Sequence, residues 1–167
     1  GKAAAEAKLD QLFREPLGLP KWKFWAVQPD ASGLVGQFVM GNEPSLHIPY
    51  LYNYLGSSWK TQKRIRMLVD TWFTDNLFGM PGDEDGGAMS AWLVFSMMGF
   101  FQVTPGVPVY AIGSPSFEEV IMQLPNGKEF KVVAEGNSSK NVYVHSAKLN
   151  GNALDELFFT HEQLMEG

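Results

Sequence analysis

Pro81-Gly82-Asp83-Glu84-Asp85-Gly86-Gly87 runs directly into Ala88-Met89-Ser90-Ala91-Trp92-Leu93-Val94-Phe95-Ser96-Met97-Met98. The second part decides the architecture. Residues 86–98 read as a helix whose apolar side chains, Met89, Ala91, Trp92, Leu93, Val94, Phe95, Met97 and Met98, leave almost no polar face. A helix apolar all round is buried in a larger assembly of helices. The first part poses a chemical question. Three adjacent carboxylates repel one another, and the glycines around them lose much conformational freedom on ordering. Such a cluster is tolerated when it is solvated, caps a helix, holds a cation or performs acid/base chemistry.

Outward from that stretch, residues 58–76 form the clearest upstream helix. Ile65, Leu68, Val69, Trp72 and Phe73 make an apolar stripe at i, i+3, i+4, i+7 and i+8. Lys60, Lys63, Arg64 and Arg66 read as its solvated face. Residues 44–55 read as a helix opened by Pro44, a residue favoured in the first turn, and distorted at Pro49. Ala5, Leu9, Leu12 and Phe13 recur at helical spacing, and Pro16 with Gly18 closes that element. Residues 20–38 read as a loop carrying Trp22, Phe24 and Trp25. Such aromatics can form a sugar platform but more often pin a loop to a core.

Past Pro105 the pattern changes to short strands over 109–113, 120–124, 129–134 and 141–149. Pro125-Asn126-Gly127-Lys128 is a hairpin signal, because Asn-Gly tolerates the positive φ of a tight turn. Asn150-Gly151-Asn152 is a second turn of that kind, and residues 161–166 form one helical turn. The expected fold class is therefore α+β. A helical segment, residues 1–104, precedes a small antiparallel β-sheet region, residues 105–167.

A chain of 167 residues has room for a sizeable core. Its 45% hydrophobic and 19% charged content is ordinary for a globular protein. Thirteen Lys and Arg against 18 Asp and Glu give a net charge of -5, which argues against a nucleic-acid partner needing clustered positive charge. With no cysteine, disulfides and thiolate metal sites are excluded. Gly1-Lys2-Ala3-Ala4-Ala5 opens into helix-like sequence rather than a signal peptide. Gly99, Gln102 and Pro105 interrupt the longest apolar run short of a membrane span.

Asp83 and Asp85 sit just ahead of a helix, whose dipole favours negative charge there. Asp85 suits an N-cap that accepts backbone N–H groups near Gly87 or Ala88. Both residues suit a base or a cation ligand better than a proton donor. Gly41-Asn42-Glu43-Pro44-Ser45-Leu46-His47 is a second oxygen-rich helix start, and Asn42 and Glu43 suit a hard cation such as Ca²⁺. Capping is the plainer account of either cluster alone, with His47 a hydrogen-bonded interior histidine. Two such starts in one chain favour chemistry. In an α/α array they can gather at one end, and paired carboxylates with room for a water are what inverting glycoside hydrolysis requires. Other patterns fail. An EF-hand beginning at Asp83 would place Gly87 and Val94 at ligand positions. Ser57-Ser58-Trp59-Lys60 lacks the companion motifs of a penicillin-binding enzyme. No phosphate-cradling glycine loop is present.

The blocks Gly41 to Ser45, His47-Ile48-Pro49-Tyr50-Leu51-Tyr52-Asn53-Tyr54, Trp59-Lys60-Thr61-Gln62, Pro81 to Gly87, Met89-Ser90-Ala91-Trp92 and Gly113-Ser114-Pro115 resemble the bacterial α-mannosidases of glycoside hydrolase family 92. The match is ordered and spans most of the chain. The resemblance implies the last helices of an (α/α)6 barrel and the strands that follow, in a much longer protein with an N-terminal β-sandwich. It implies Ca²⁺-dependent, inverting exo-hydrolysis of α-linked mannose, commonly α-1,2 linkages on glycans. It also implies a periplasmic, cell-surface or secreted location in a bacterium.

By motif, Asp83 and Asp85 correspond to the carboxylates that activate water. Asn42 and Glu43 are the calcium-ligand candidates, and His47 a substrate contact. Leu46 stands where the family often has a second histidine. Nothing before Gly41 spells the motif of the family's general acid, and Glu6 and Glu15 lie in unrelated contexts. The segment by itself is therefore expected to be inactive, and its helical half to pair with the rest of the parent chain or with itself. The alternative from another class is a non-catalytic carbohydrate-binding or structural module that retains the family's sequence.

Overall fold

The computed structural model describes residues 1–28 and 31–167, and its architecture is α+β. Helices α1 (Lys2–Leu12), α2 (Lys21–Val27), α3 (Leu51–Leu55), α4 (Ser58–Trp72) and α5 (Ala88–Met98) precede most of the strands. A short hairpin, β1 (Leu34–Val35) with β2 (Phe38–Val39), lies between α2 and α3. No helix among the described residues is long and apolar enough to cross a membrane.

Helix α4 buries Ile65, Leu68 and Val69 of the expected stripe. It ends at Trp72 rather than at residue 76. Phe73 turns extended, and Thr74 N donates instead to Gly79 O at 2.9 Å, closing a turn. Its basic residues correct the expectation of a wet face. Lys60 Nζ pairs with Glu6 at 2.7 Å and Asp10 at 2.5 Å on α1. Arg64 lies 4.5 Å above the Phe13 ring. Arg66 is buried and donates to Pro115 O, Asn137 Oδ1 and Ser138 O at 2.6, 2.9 and 3.1 Å. Of the four, Lys63 alone is exposed.

The helix expected over 44–55 is broken into two 3-10 turns, Glu43–Ser45 and Ile48–Tyr50, followed by α3. Each turn carries a proline in its first two positions. Pro49 has no N–H to continue a helix from the preceding turn, so a new one starts. The aromatic stretch expected as loop also differs, because Trp22, Phe24 and Trp25 lie on α2. Trp22 is 66% exposed rather than pinned to a core, while Trp25 Nε1 donates to Ala31 O at 2.6 Å. Within that expected loop, Pro29 and Asp30 lie outside the described residues.

Strands β3 (Phe100–Phe101), β4 (Val109–Ile112) and β9 (Phe158–Thr160) form an antiparallel sheet in the order β3-β4-β9. The hairpin β5 (Glu119–Gln123) with β6 (Glu129–Val133) pairs Ile121 with Lys131, and its turn places Gly127 at φ 81°. The hairpin β7 (Lys148–Leu149) with β8 (Asn152–Ala153) turns on Asn150 and Gly151, both at positive φ. Residues 141–147, expected as strand, pair with no strand. Side chains satisfy part of their backbone instead: Ser114 Oγ donates to Val142 O, and Val144 N to Gln62 Oε1. Helix α6 (His161–Glu166) opens with a capping box between Thr160 and Gln163.

Two cores result. One joins Met40, Tyr50, Tyr52, Ile65, Leu68, Met89 and Trp92; the other joins Phe100, Leu124, Phe130, Phe159 and Leu164. Helix α5 buries only Met89, Trp92 and Ser96 fully, and its Val94 is 54% exposed. Leu93 and Met97 pack partly against the first core and Phe95 and Met98 against the second, so the helix that is apolar on every side is only partly covered here.

Candidate active site

Helix α5 begins where two glycines end the acidic loop. Asp85, Gly86 and Gly87 carry φ of 55°, 65° and 104° in succession. Left-handed backbone is the region glycine enters freely and Asp tolerates. This path leads the chain out of the loop through a 3-10 turn, Asp85–Gly87, into the helix. The expected capping by Asp85 does not occur. Glu84 Oε1 accepts the Ser90 N–H at 3.2 Å instead. Hydrogen bonding to Ser90, chiefly through its side chain and then through its backbone, holds the Glu84 carboxyl below its usual range. Asp83 is exposed and Asp85 half-buried, and neither carboxylate has a hydrogen-bond donor among the described residues. Of three adjacent acids, the middle one ties down the helix and the outer two remain free to bind.

The second oxygen-rich segment lies directly against this loop. Gly82 sits so close to Gly41 that a Cβ on Gly82 would collide with the Gly41 carbonyl, with its Cα and C 2.7 Å away. Gly82 N donates to Ser32 Oγ, and Gly41 N donates to Ser32 O at 3.0 Å. Helix α5 holds the same segment from its other end. Trp92 Nε1 donates to Leu46 O at 2.9 Å, the Trp92 ring stacks on Phe73 at 5.6 Å, and the Tyr50 hydroxyl meets Ser96 Oγ at 3.0 Å. Full burial pushes the Tyr50 phenol well above its usual range, so it stays neutral. The residues on either side of Asp83–Asp85 thus grip the segment that carries Asn42, Glu43 and His47.

Asn42, Glu43 and His47 all point their side chains into exposed positions, so His47 is not the interior histidine of the plainer reading. The backbone around them is fixed by Ser45 N to Asn42 O, Leu46 N to Glu43 O and Tyr50 N to His47 O, at 2.9, 3.1 and 3.0 Å. Carboxylate and carboxamide oxygens are the donor chemistry of a hard cation. Yet no group of three or more His, Cys, Asp or Glu among the described residues converges on one point. Ca²⁺ takes roughly six to eight oxygens, so Asn42 and Glu43 would make part of a cage and not the whole.

Glu6 does not fill the role of proton donor. It lies on α1 against Lys60, whose hydrogen bond lowers its carboxyl below the usual value, the reverse of what a general acid needs. Sequence reading missed Ser32 and the Gly41–Gly82 apposition. No spacing signals a contact between residues that far apart. The Met89-Ser90-Ala91-Trp92 block did mark the helix that carries Trp92.

The whole chain, residues 1–167, matches the family described as the glycosyl hydrolase family 92 catalytic domain. An uncharacterized secreted glycosidase of Arthroderma benhamiae is 39% identical over 131 residues, which are 77% of this chain and 17% of that protein. Among solved structures, a family GH92 alpha-mannosidase of Bacteroides thetaiotaomicron in complex with mannoimidazole aligns at TM-score 0.87 and 37% identity. That alignment covers 98% of this chain and 21% of the other. A family GH92 inverting mannosidase of the same bacterium aligns at TM-score 0.82 and 39% identity, covering 100% and 23%. The chain therefore spans about a fifth of the length of these relatives.

Proposed function

This chain belongs to the glycosyl hydrolase family 92 catalytic domain, and we propose that it carries the water-activating side of a calcium-dependent, inverting exo-α-mannosidase. One observation carries the reading. Gly82 and Gly41 bring the two oxygen-rich loops into backbone contact while Glu84, not Asp83 or Asp85, does the capping. Two carboxylates without internal partners are then available to a water. In an inverting hydrolysis one of them takes the proton from water as its oxygen attacks the anomeric carbon, from the face opposite the departing sugar oxygen. The proton for that leaving oxygen comes from an acid outside this segment.

Asn42 and Glu43 would hold part of a calcium's oxygen shell, and His47 would contact the mannose. When bound, the cation orients and polarises sugar hydroxyls. α-linked mannose is the proposed substrate, by likeness to the mannosidase structures, and the α-1,2 linkage on glycans is proposed from the resemblance of the motif blocks. The relative named as secreted supports an extracellular location. Because it is fungal, a bacterial source rests on the resemblance of the motif blocks alone.

The decisive experiment exchanges each acid for its amide in the intact enzyme and follows release of mannose from an α-linked disaccharide. Loss of kcat with an unchanged circular dichroism spectrum supports the assignment; near-normal kcat in both variants removes it. The segment alone, lacking a proton donor, is expected to give no measurable turnover of a chromogenic α-mannoside. Turnover near that of an intact family member would overturn that expectation.

A further inference from the structure

We infer that Ser32 is a positioning residue, which sets the Asp83–Asp85 loop against the Asn42–Glu43 turn by bonding to the backbone of both. The inference rests on the catalytic reading of the two acids given above. Ser32 stands at the base of the β1–β2 hairpin, and its two oxygens face different loops. Its carbonyl accepts the N–H of Gly41, the residue before Asn42, at 3.0 Å. Its hydroxyl oxygen accepts the N–H of Gly82, the residue before Asp83.

The next residue, Gly33, closes the hairpin by accepting Met40 N at 3.0 Å. A Cβ on Gly33 would lie 2.7 Å from Met40 Cβ and 3.1 Å from Pro81 Cβ, so the hairpin base fits tightly between both loops. Gly82 and Gly41 in turn leave no room for a side chain between them. Steric contact keeps the loops from approaching further, but it does not stop them separating or sliding. The hydroxyl bond supplies that missing restraint. Among the described residues Ser32 makes no hydrogen bond to either carboxylate, so its action on them is through the backbone of Gly82.

Catalysis depends steeply on such placement, since a shift of about 1 Å at a reacting group can cost on the order of a hundredfold in rate. The test uses Ser32→Ala, Ser32→Cys and Ser32→Thr in the intact enzyme, with kcat, KM and thermal unfolding measured on an α-mannoside. Ser32→Ala removes the acceptor; Ser32→Thr keeps it. The expected result is a kcat roughly ten- to a hundredfold lower for Ser32→Ala, with KM changed by less than about threefold. Ser32→Thr is expected to recover most of the rate. If Ser32→Ala does not fold, Ser32→Cys takes its place, because its larger sulfur is a far weaker acceptor than the hydroxyl oxygen, and a wild-type kcat there overturns the inference equally.

A wild-type kcat in the variant lacking the acceptor would overturn the inference. So would a loss that raises KM in parallel and that Ser32→Thr fails to rescue. Asp83→Asn and Asp85→Asn in the same background separate the two claims. If those variants are inactive while Ser32→Ala is normal, the positioning role alone falls. If they are active, the catalytic reading falls, and this inference with it.

Discussion

At the scale of single residues, three neighbouring carboxylates do different work because the backbone aims them differently. The left-handed turn at Asp85 and Gly86 carries Asp85 away from the helix start, and Glu84 reaches back to Ser90 N. Asp83→Asn or Asp85→Asn is therefore expected to lower kcat by about 10²–10⁴-fold, the usual contribution of a general base, with little change in folding. An amide of the same size cannot accept a proton from water. Glu84→Gln is the contrast. It keeps an oxygen for Ser90 N, so kcat is expected to stay within a few fold while the unfolding temperature falls slightly. Steady-state kinetics beside thermal scans on the three variants check both statements, and a Glu84 variant as inactive as the others would refute the division of labour.

At the scale of elements, paired and partly covered charge replaces the solvated face that helical spacing suggested for α4. Lys60 joins α4 to α1 through Glu6 and Asp10, and Tyr52 donates to Asp10 at 3.0 Å. Desolvation raises the Asp10 carboxyl, but the bonds from Lys60 and Tyr52 outweigh it, and its net position is below the ordinary 3.8. Burial, then the bond to Asp10, pushes the Tyr52 phenol up to about 12. The Glu6 carboxyl is lowered from 4.5 chiefly by its hydrogen bond to Lys60, and the Lys60 amine is raised from 10.5 chiefly by its bond to Asp10 and then by that to Glu6. Carboxylates with depressed folded values stabilise above their unfolded values and lose that contribution as pH falls through the folded ones. A lysine with a raised value stabilises below 10.5 and loses its contribution as pH rises through the raised value.

Docking of α1 is thus expected to be firm at neutral pH, to weaken as pH drops below about 4.5, and to weaken again above 10.5. Limited proteolysis after residue 13 across that range would show it, and a flat profile would contradict it. Arg66 joins α4 to the β region by three bonds to neutral acceptors. Hydrogen bonds to a charged group are worth about 1.5–3 kcal/mol each, so Arg66→Ala is expected to destabilise by about 3 kcal/mol or more. Faster amide exchange over residues 137–145 should accompany it. Arg66→Lys should rescue poorly, because a single ammonium cannot reproduce the planar fork.

At the scale of the whole molecule, large apolar side chains stand uncovered on the helical half. Leu77 and Phe78 are 91% and 88% exposed on the turn just before the acidic loop, and Trp22 and Val94 add to the uncovered helical half. Apolar patches beyond a few hundred Å² usually mark an interaction site. With relatives about five times as long, the remainder of the parent chain is the proposed cover. The isolated segment is expected to self-associate in light scattering, and Leu77→Ser with Phe78→Ser to reduce that; a dye-silent monomer would refute the idea.

The sequence alone determined the α+β class, the stripe of α4, the helical turn after residue 160, the Asn126-Gly127 and Asn150-Gly151 turns and the family's motif blocks. These are local patterns, set by period, by turn chemistry or by residue order within a few positions. Only the tertiary structure decided that Pro49 splits one expected helix into turns, that Arg66 is buried, and that residues 141–147 are held by side chains rather than by a ladder. It also decided which acid caps α5 and which serine joins the two loops. Those outcomes depend on which distant groups come to lie opposite one another, and a backbone N–H at Gly82 or Val144 takes whatever acceptor packing brings within reach.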